Sequence, residues 1–130
     1  MAKLPGVAHI ALTVNDLAVS VPWYQRLLGS EPVVDEDTGV YHHTVFLLPG
    51  RVLLSLHQFP GDGADRFDER RVGLDHLSFG VANRAELEAW QAGLEELGVR
   101  HGGIVDAHYG SALSFRDPDN IALELFAPPG

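Results

Sequence analysis

The strand-like run from Val7 to Val14, with a histidine at position 9, returns 67 residues later as Leu74 to Val81, with a histidine at position 76. The same offset relates Gly6 to Gly73, Ala18 to Ala85, Trp23 to Trp90 and Leu27 to Leu94. A chain built this way folds as two copies of one small module, and neither copy alone can bury both faces of its sheet. The two modules are therefore expected to pack together, within one chain or across a dimer.

Each copy reads as β-α-β-β-β, which makes the fold class α+β. In the first, Ser20 is expected to cap a helix with Pro22 in its first turn, where a missing N–H costs nothing. Trp23, Tyr24, Leu27 and Leu28 form its apolar face and Gly29 ends it. In the second, Asn83 and Glu86 form a capping box ahead of Leu87, Trp90, Leu94 and Leu97, with Gly98 beyond. Strands are expected over 32–35, 41–48 and 51–59, then over 103–106, 111–116 and 121–126, with turns at Pro49-Gly50 and Asp117-Pro118-Asp119-Asn120. The glycine- and charge-rich stretch 60–71 reads as a linker. A single domain over 1–130 thus comprises module one at about 4–59 and module two at about 72–127.

Bulk properties remove several functions. Eighteen carboxylates against nine Lys and Arg leave a net charge of −9, which opposes binding to a phosphate backbone and argues against a nucleic-acid partner. No apolar run approaches the roughly 20 residues of a membrane helix, and no basic-then-apolar leader opens the sequence, so a cytoplasmic protein with no membrane partner is expected. The chain has no cysteine, which excludes disulfides, thiolate ligands and cysteine nucleophiles. Any metal must be held by His, carboxylate and water.

Strand parity decides where the two histidines point. Ala8, Ile10, Leu12 and Val14 share one face of the first strand, leaving Val7, His9, Ala11 and Thr13 on the other. In its copy, Leu77, Phe79 and Val81 oppose Leu74, His76, Ser78 and Gly80. In the last strand Ile121, Leu123 and Leu125 oppose Ala122, Glu124 and Phe126, so Glu124 interrupts an apolar strand on the histidine side. A buried carboxylate is costly unless paired or bound to a cation. His9, His76 and Glu124 could supply a two-histidine, one-carboxylate site with open positions for a divalent ion. His42 and His43 are neighbours on a strand, so at most one faces inward, and both read as ordinary strand residues. His108 and Tyr109 read as a solvated loop, and His101 needs no special role.

The two β-α-β-β-β modules, the histidine of each first strand and the closing run Phe115 to Phe126, with its Asp-Pro-Asp turn and Glu before Leu-Phe, resemble the vicinal oxygen chelate superfamily. That superfamily includes glyoxalase I, bleomycin-resistance proteins, fosfomycin-resistance proteins and extradiol dioxygenases. The resemblance covers essentially the whole chain. It implies a mixed sheet curled into a cup around one divalent metal ion, with ligands from the first and last strand of each module. His9, His76 and Glu124 match three of those positions. Laying Leu54-Ser55-Leu56 over Leu123-Glu124-Leu125 puts Ser55 at the fourth, where glyoxalase I has a carboxylate. His57 lies two residues on, about 6 to 7 Å along the strand, too far to replace Ser55 at the same ion. It reads as a general base or substrate contact, with a solvated histidine as the alternative. His57 and Glu124 are the candidate catalytic, proton-moving groups.

The resemblance implies a metalloenzyme acting on a small substrate whose oxygens chelate the ion: a glyoxalase-like lyase, a dioxygenase or a thiol transferase. Fe, Mn, Zn, Ni and Co are not distinguished. A missing fourth ligand weakens the glyoxalase I assignment. Extradiol dioxygenases carry an additional module pair, and fosfomycin enzymes place Thr where this chain has Ala11. The alternative is a metal-free, drug-sequestering protein of the bleomycin-resistance type, whose cationic ligand would suit the negative charge, although such proteins generally lack the His and Glu set. A regulatory domain with an empty cup is the third reading. The resemblance also implies a homodimer; in an arrangement with shared sites, His9 of one chain would meet His76 and Glu124 of the other.

Overall fold

The computed structural model describes residues 2–61 and 63–130. The chain forms two compact units, the first running to Asp65 and the second starting at Arg66. The first contains β1 (His9–Thr13), α1 (Leu17–Leu28), β2 (Val34–Asp37), β3 (His42–Leu48) and β4 (Val52–Gln58). The second contains β5 (Leu77–Gly80), α2 (Arg84–Glu96), β6 (His101–Ala107), β7 (Gly110–Arg116) and β8 (Ala122–Ala127). The α+β class and the repeated β-α-β-β-β module are those the offset predicts. Among the described residues no helix is long and apolar enough to cross a membrane.

Each unit holds a four-stranded mixed sheet, ordered β1-β4-β3-β2 in one and β5-β8-β7-β6 in the other. The first and last strands of a module pair in parallel, β1 with β4 and β5 with β8, while the other pairs are antiparallel. That parallel pairing is possible because the helix and two further strands intervene; a tight hairpin cannot make it.

Helix α1 corrects one expectation. It starts at Leu17, and its cap is Asp16, whose side chain accepts from the Ala18 N–H at 2.9 Å. The Leu17 N–H is satisfied by the Gln58 side chain at 2.8 Å. Ser20, expected as the cap, is buried inside the helix, and Pro22 lies in the helix interior rather than the first turn. Side-chain acceptors for the Leu17 and Ala18 N–H groups outweigh the local preference for starting at Ser20. Helix α2 begins as expected: Asn83 Oδ1 accepts from Glu86 N–H at 2.9 Å, and Glu86 returns to the Ala82 N–H at 2.8 Å. The second bond reaches one residue further back than the usual capping box.

The cores follow strand parity. In the first unit Tyr24 and Leu27 of α1 are buried together with Leu12, Phe46, Leu54 and Leu56. In the second, Leu87 and Leu94 of α2 are buried with Leu113, Phe115, Leu123 and Leu125. Each such side chain contributes about 1.5–3 kcal/mol. Trp23 and Trp90 are only half-buried, flanking these stripes rather than filling them.

The Asp117–Asn120 turn explains the most distinctive sequence run. The buried Asp117 carboxylate accepts from the Asp119 and Ile121 N–H groups, both at 2.8 Å, and Asn120 adopts a left-handed φ of 67°. The second half of the expected linker is tied to this turn. Phe67 N–H donates to Asp119 O, Asn120 Nδ2 donates to Phe67 O, and Arg116 clasps Glu69 at 2.9 Å.

Gly110 closes the β6–β7 hairpin at φ 146°, and a Cβ there would overlap the Phe126 ring and the Ala127 carbonyl. Gly110→Ala should therefore cost about 2–4 kcal/mol, from the backbone conformation and the overlap together. Asp16→Ala should cost about 1 kcal/mol. Denaturant unfolding of both variants measures the two effects, and an Asp16→Ala protein as stable as wild type would contradict the cap assignment.

Candidate functional site

In both sheets the expected histidine faces are the ones turned away from the helix. Ile10 and Leu12 turn to the core while His9, Ala11 and Thr13 are exposed. Leu77 and Phe79 are more buried than Ser78 and Gly80. The two histidines stand at the start of their strands rather than in the middle: His9 is the first residue of β1, and His76 immediately precedes β5. The β5 ladder begins at Leu77 opposite Leu123, because β8 only leaves the Asp117–Asn120 turn at Ala122.

The parallel register sets Ser78 directly opposite Glu124. Ser78 Oγ donates to Glu124 Oε1 at 2.9 Å. The other carboxylate oxygen, Oε2, lies 3.6 Å from His76 Nε2, and the Glu124 side chain is 18% exposed. His76 Nδ1 is 2.8 Å from Asp75 Oδ1. Two ligand atoms each about 2.1 Å from one ion, at a tetrahedral angle, stand about 3.4 Å apart. The His76 and Glu124 atoms thus have the spacing and the hard and borderline donors that a divalent ion takes. Beyond Glu124, Phe126 lies between the small residues Gly80 and Ala112. Tyr109, in the exposed β6–β7 turn where a solvated loop is expected, stacks on it with centroids 6.4 Å apart.

The first sheet repeats the register with different chemistry. Ser55 sits opposite Ala11, as Glu124 sits opposite Ser78, so Ser55 does occupy the place of the second unit's carboxylate. Its hydroxyl is buried and has no hydrogen-bond partner. His9 belongs to this unit, and no hydrogen bond or ion pair holds its ring among the described residues. Among those residues no set of three or more His, Asp and Glu side chains is grouped to hold an ion. His76 and Glu124 are the members of the expected ligand set that come together within one unit.

His57 lies opposite Thr13 on one side and His43 on the other, and His43 lies opposite Glu36. His43 Nε2 meets Glu36 Oε1 at 2.9 Å, and the His43 and His57 rings stand 5.6 Å apart, edge to face. Tyr41 stacks on His57 at 4.3 Å. Burial, then the imidazoles of His43 and His9, hold the His57 pKa below the usual histidine value. The neutral form of the His57 imidazole is thereby favoured. His43 and Tyr41 are the residues that sequence reasoning passes over. The available signal was the turn, since folding the chain back at Thr38 to Tyr41 sets Glu36 opposite His43.

The remaining histidines have local partners. His42 pairs with Asp35 on the helix side of the first sheet, where a cleft of about 710 Å³ is lined by Asp37, Tyr41, Thr44, Gln58 and Phe59 among others. That cleft opens on the face opposite His9 and Ser55. His101 Nε2 reaches Glu95 Oε1 at 3.0 Å and ties β6 to the end of α2.

Comparison with known proteins agrees with this architecture. The chain is 26% identical over 125 residues to the putative ring-cleaving dioxygenase MhqA of Bacillus subtilis, covering 92% of this chain and 39% of the relative. The chain thus spans less than half of that protein's length. It is 28% identical over 130 residues to the metallothiol transferase FosB of Bacillus licheniformis, covering 95% and 75%. The crystal structure of a glyoxylase/bleomycin resistance protein/dioxygenase domain from Frankia sp. EAN1pec superposes with a TM-score of 0.89 at 37% identity, covering 98% of this chain and all of that one. Residues 6–125 match the family model for these folds. The chain belongs to the glyoxalase/bleomycin resistance protein/dioxygenase superfamily.

Proposed function

We propose that the chain is a divalent-metal-dependent enzyme acting on a small oxygen-bearing substrate, with His76, Glu124 and His9 as metal ligands. The observation that carries this reading is the 3.6 Å approach of His76 Nε2 to Glu124 Oε2, with the small residues Ser78 and Ser114 as the cross-strand neighbours of Glu124. His9 enters the set through the sequence repeat, which makes it the counterpart of His76; a measured distance plays no part in that assignment. Fe, Mn, Zn, Ni or Co each suit the nitrogen and carboxylate donors. Such an ion, when bound, supplies Lewis acidity toward substrate oxygens.

The residues of the chain handle the proton. His57, its neutral form favoured by burial and its ring held flat against Tyr41, can accept one, and Glu124 is the second proton-carrying group of the reading. Three reaction classes fit: ring-cleaving dioxygenation, thiol transfer and glyoxalase-like lysis. The first two are supported by the relatives' names, and the serine at position 55 weighs against the third. The net charge of −9 supports a small-molecule partner over nucleic acid. A cytoplasmic homodimer completes the reading, on composition and family resemblance.

Elemental analysis of protein purified without added metal tests the proposal. Wild type should carry about one ion per chain, and His76→Ala and Glu124→Ala should lose it. A hundredfold excess of metal over Kd should stabilise wild type by about 2.7 kcal/mol. His57→Ala should leave metal affinity unchanged while lowering turnover. Wild type that holds no stoichiometric metal, and whose melting temperature is unmoved by Fe, Mn, Zn, Ni and Co, ends the reading.

The lowered pKa of His57 predicts the sign of one stability effect. The unfolded imidazole titrates near 6.5 and the folded one below it. The unfolded chain thus binds more protons in that window, and the stabilising contribution is complete above about pH 6.5 and lost as pH falls through the folded value. Thermal melts of wild type and His57→Gln between pH 5 and 8 should show a shallower acid-side decline in the variant. Parallel profiles would remove His57 as the source.

A further inference from the structure

The geometry points to Asp75 and Ser78 as positioning residues that preset His76 and Glu124 for the ion. This rests on the metal reading above but concerns side chains that reading does not use. A neutral imidazole carries its proton on one nitrogen, and an ionised carboxylate can only accept. With Asp75 Oδ1 at 2.8 Å from Nδ1, that nitrogen must be the donor, and the lone pair is left on Nε2. Nε2 lies 3.6 Å from Glu124 Oε2, beyond hydrogen-bonding distance. In the neutral ring the Nε2 lone pair then faces Oε2, an arrangement that favours a shared cation.

Ser78 does the equivalent for the carboxylate. It lies two residues beyond His76, directly across from Glu124, and its hydroxyl occupies Oε1. The rotation of the carboxylate is thereby set, with Oε2 the oxygen turned to His76. Outer partners of this kind orient ligands and raise their basicity.

The first module lacks every part of this apparatus. Ala8 stands where the repeat puts Asp75, Ala11 where it puts Ser78, and Ser55 where the strand register puts Glu124. The second unit accordingly presents a prepared pair of ligands, and the first offers only His9.

Nitrogen-15 NMR of the metal-free, full-length protein at pH 8.5 reads the tautomer directly. His76 should be protonated at Nδ1 in wild type and revert toward Nε2 in Asp75→Ala, while Asp75→Asn, which keeps an acceptor oxygen, should hold the wild-type tautomer. Titration with Zn(II) and with Mn(II), each alone, should show affinity reduced about 10- to 100-fold in Asp75→Ala and Ser78→Ala. Ser78→Thr, which retains the hydroxyl, should bind within about threefold of wild type, the spread expected of single contributions. Asp75 is exposed, so circular dichroism and melting temperature of its variants should match wild type without metal. Wild type that binds neither ion would overturn the metal reading itself. Wild type that binds, with variants of equal affinity or a His76 protonated at Nε2, would overturn the positioning role alone.

Discussion

The parallel pairing of the first and last strand in each module is the constraint on which the rest depends. It brings Ser78 opposite Glu124 and Ala11 opposite Ser55, pairs separated in sequence by more than forty residues. A helix and two further strands intervene in the chain between the partners of either parallel ladder. The side chains beside Glu124 are therefore a product of the finished module. The helix on one face and parity along the strands then leave the opposite face to His76, Ser78, Glu124 and Phe126.

One backbone plan carries two different surfaces. In the second unit the polar groups are matched: Asp75 on His76, Ser78 on Glu124, with small residues around them. In the first unit the equivalent hydroxyl of Ser55 is buried without a partner, and the polar chemistry has moved one row along the sheet, to His57, His43 and Glu36. An unpaired buried hydroxyl costs about 1–3 kcal/mol. The two halves thus differ in side-chain chemistry while sharing one topology.

Much of this was legible in the chain. The offset of 67 exposed the module, the alternation of Ile10, Leu12 and Val14 with His9, Ala11 and Thr13 assigned the faces, and Asn83 with Glu86 marked the start of α2. These signals are local, because periodicity and capping act over one strand or one helical turn. The start of α1 was misjudged for the complementary reason: Gln58, which takes the Leu17 N–H, is forty-one residues away and invisible to a local rule. His43 was passed over because its face acquires meaning only when Glu36 is known to lie across from it.

The sequence by itself determined that there are two copies of one β-α-β-β-β module, that no cysteine chemistry is available, and which residues share a strand face. Those follow from repetition, composition and a side-chain period of two. Only the tertiary structure decided that Asp75 holds Nδ1 of His76, that Ser78 takes one oxygen of Glu124, and that Tyr41 and His43 flank His57. The Asp75–His76 contact joins chain neighbours and turns on local backbone conformation, whereas carboxylate rotation and the His57 pKa depend on atoms that strand register, not chain order, brings together.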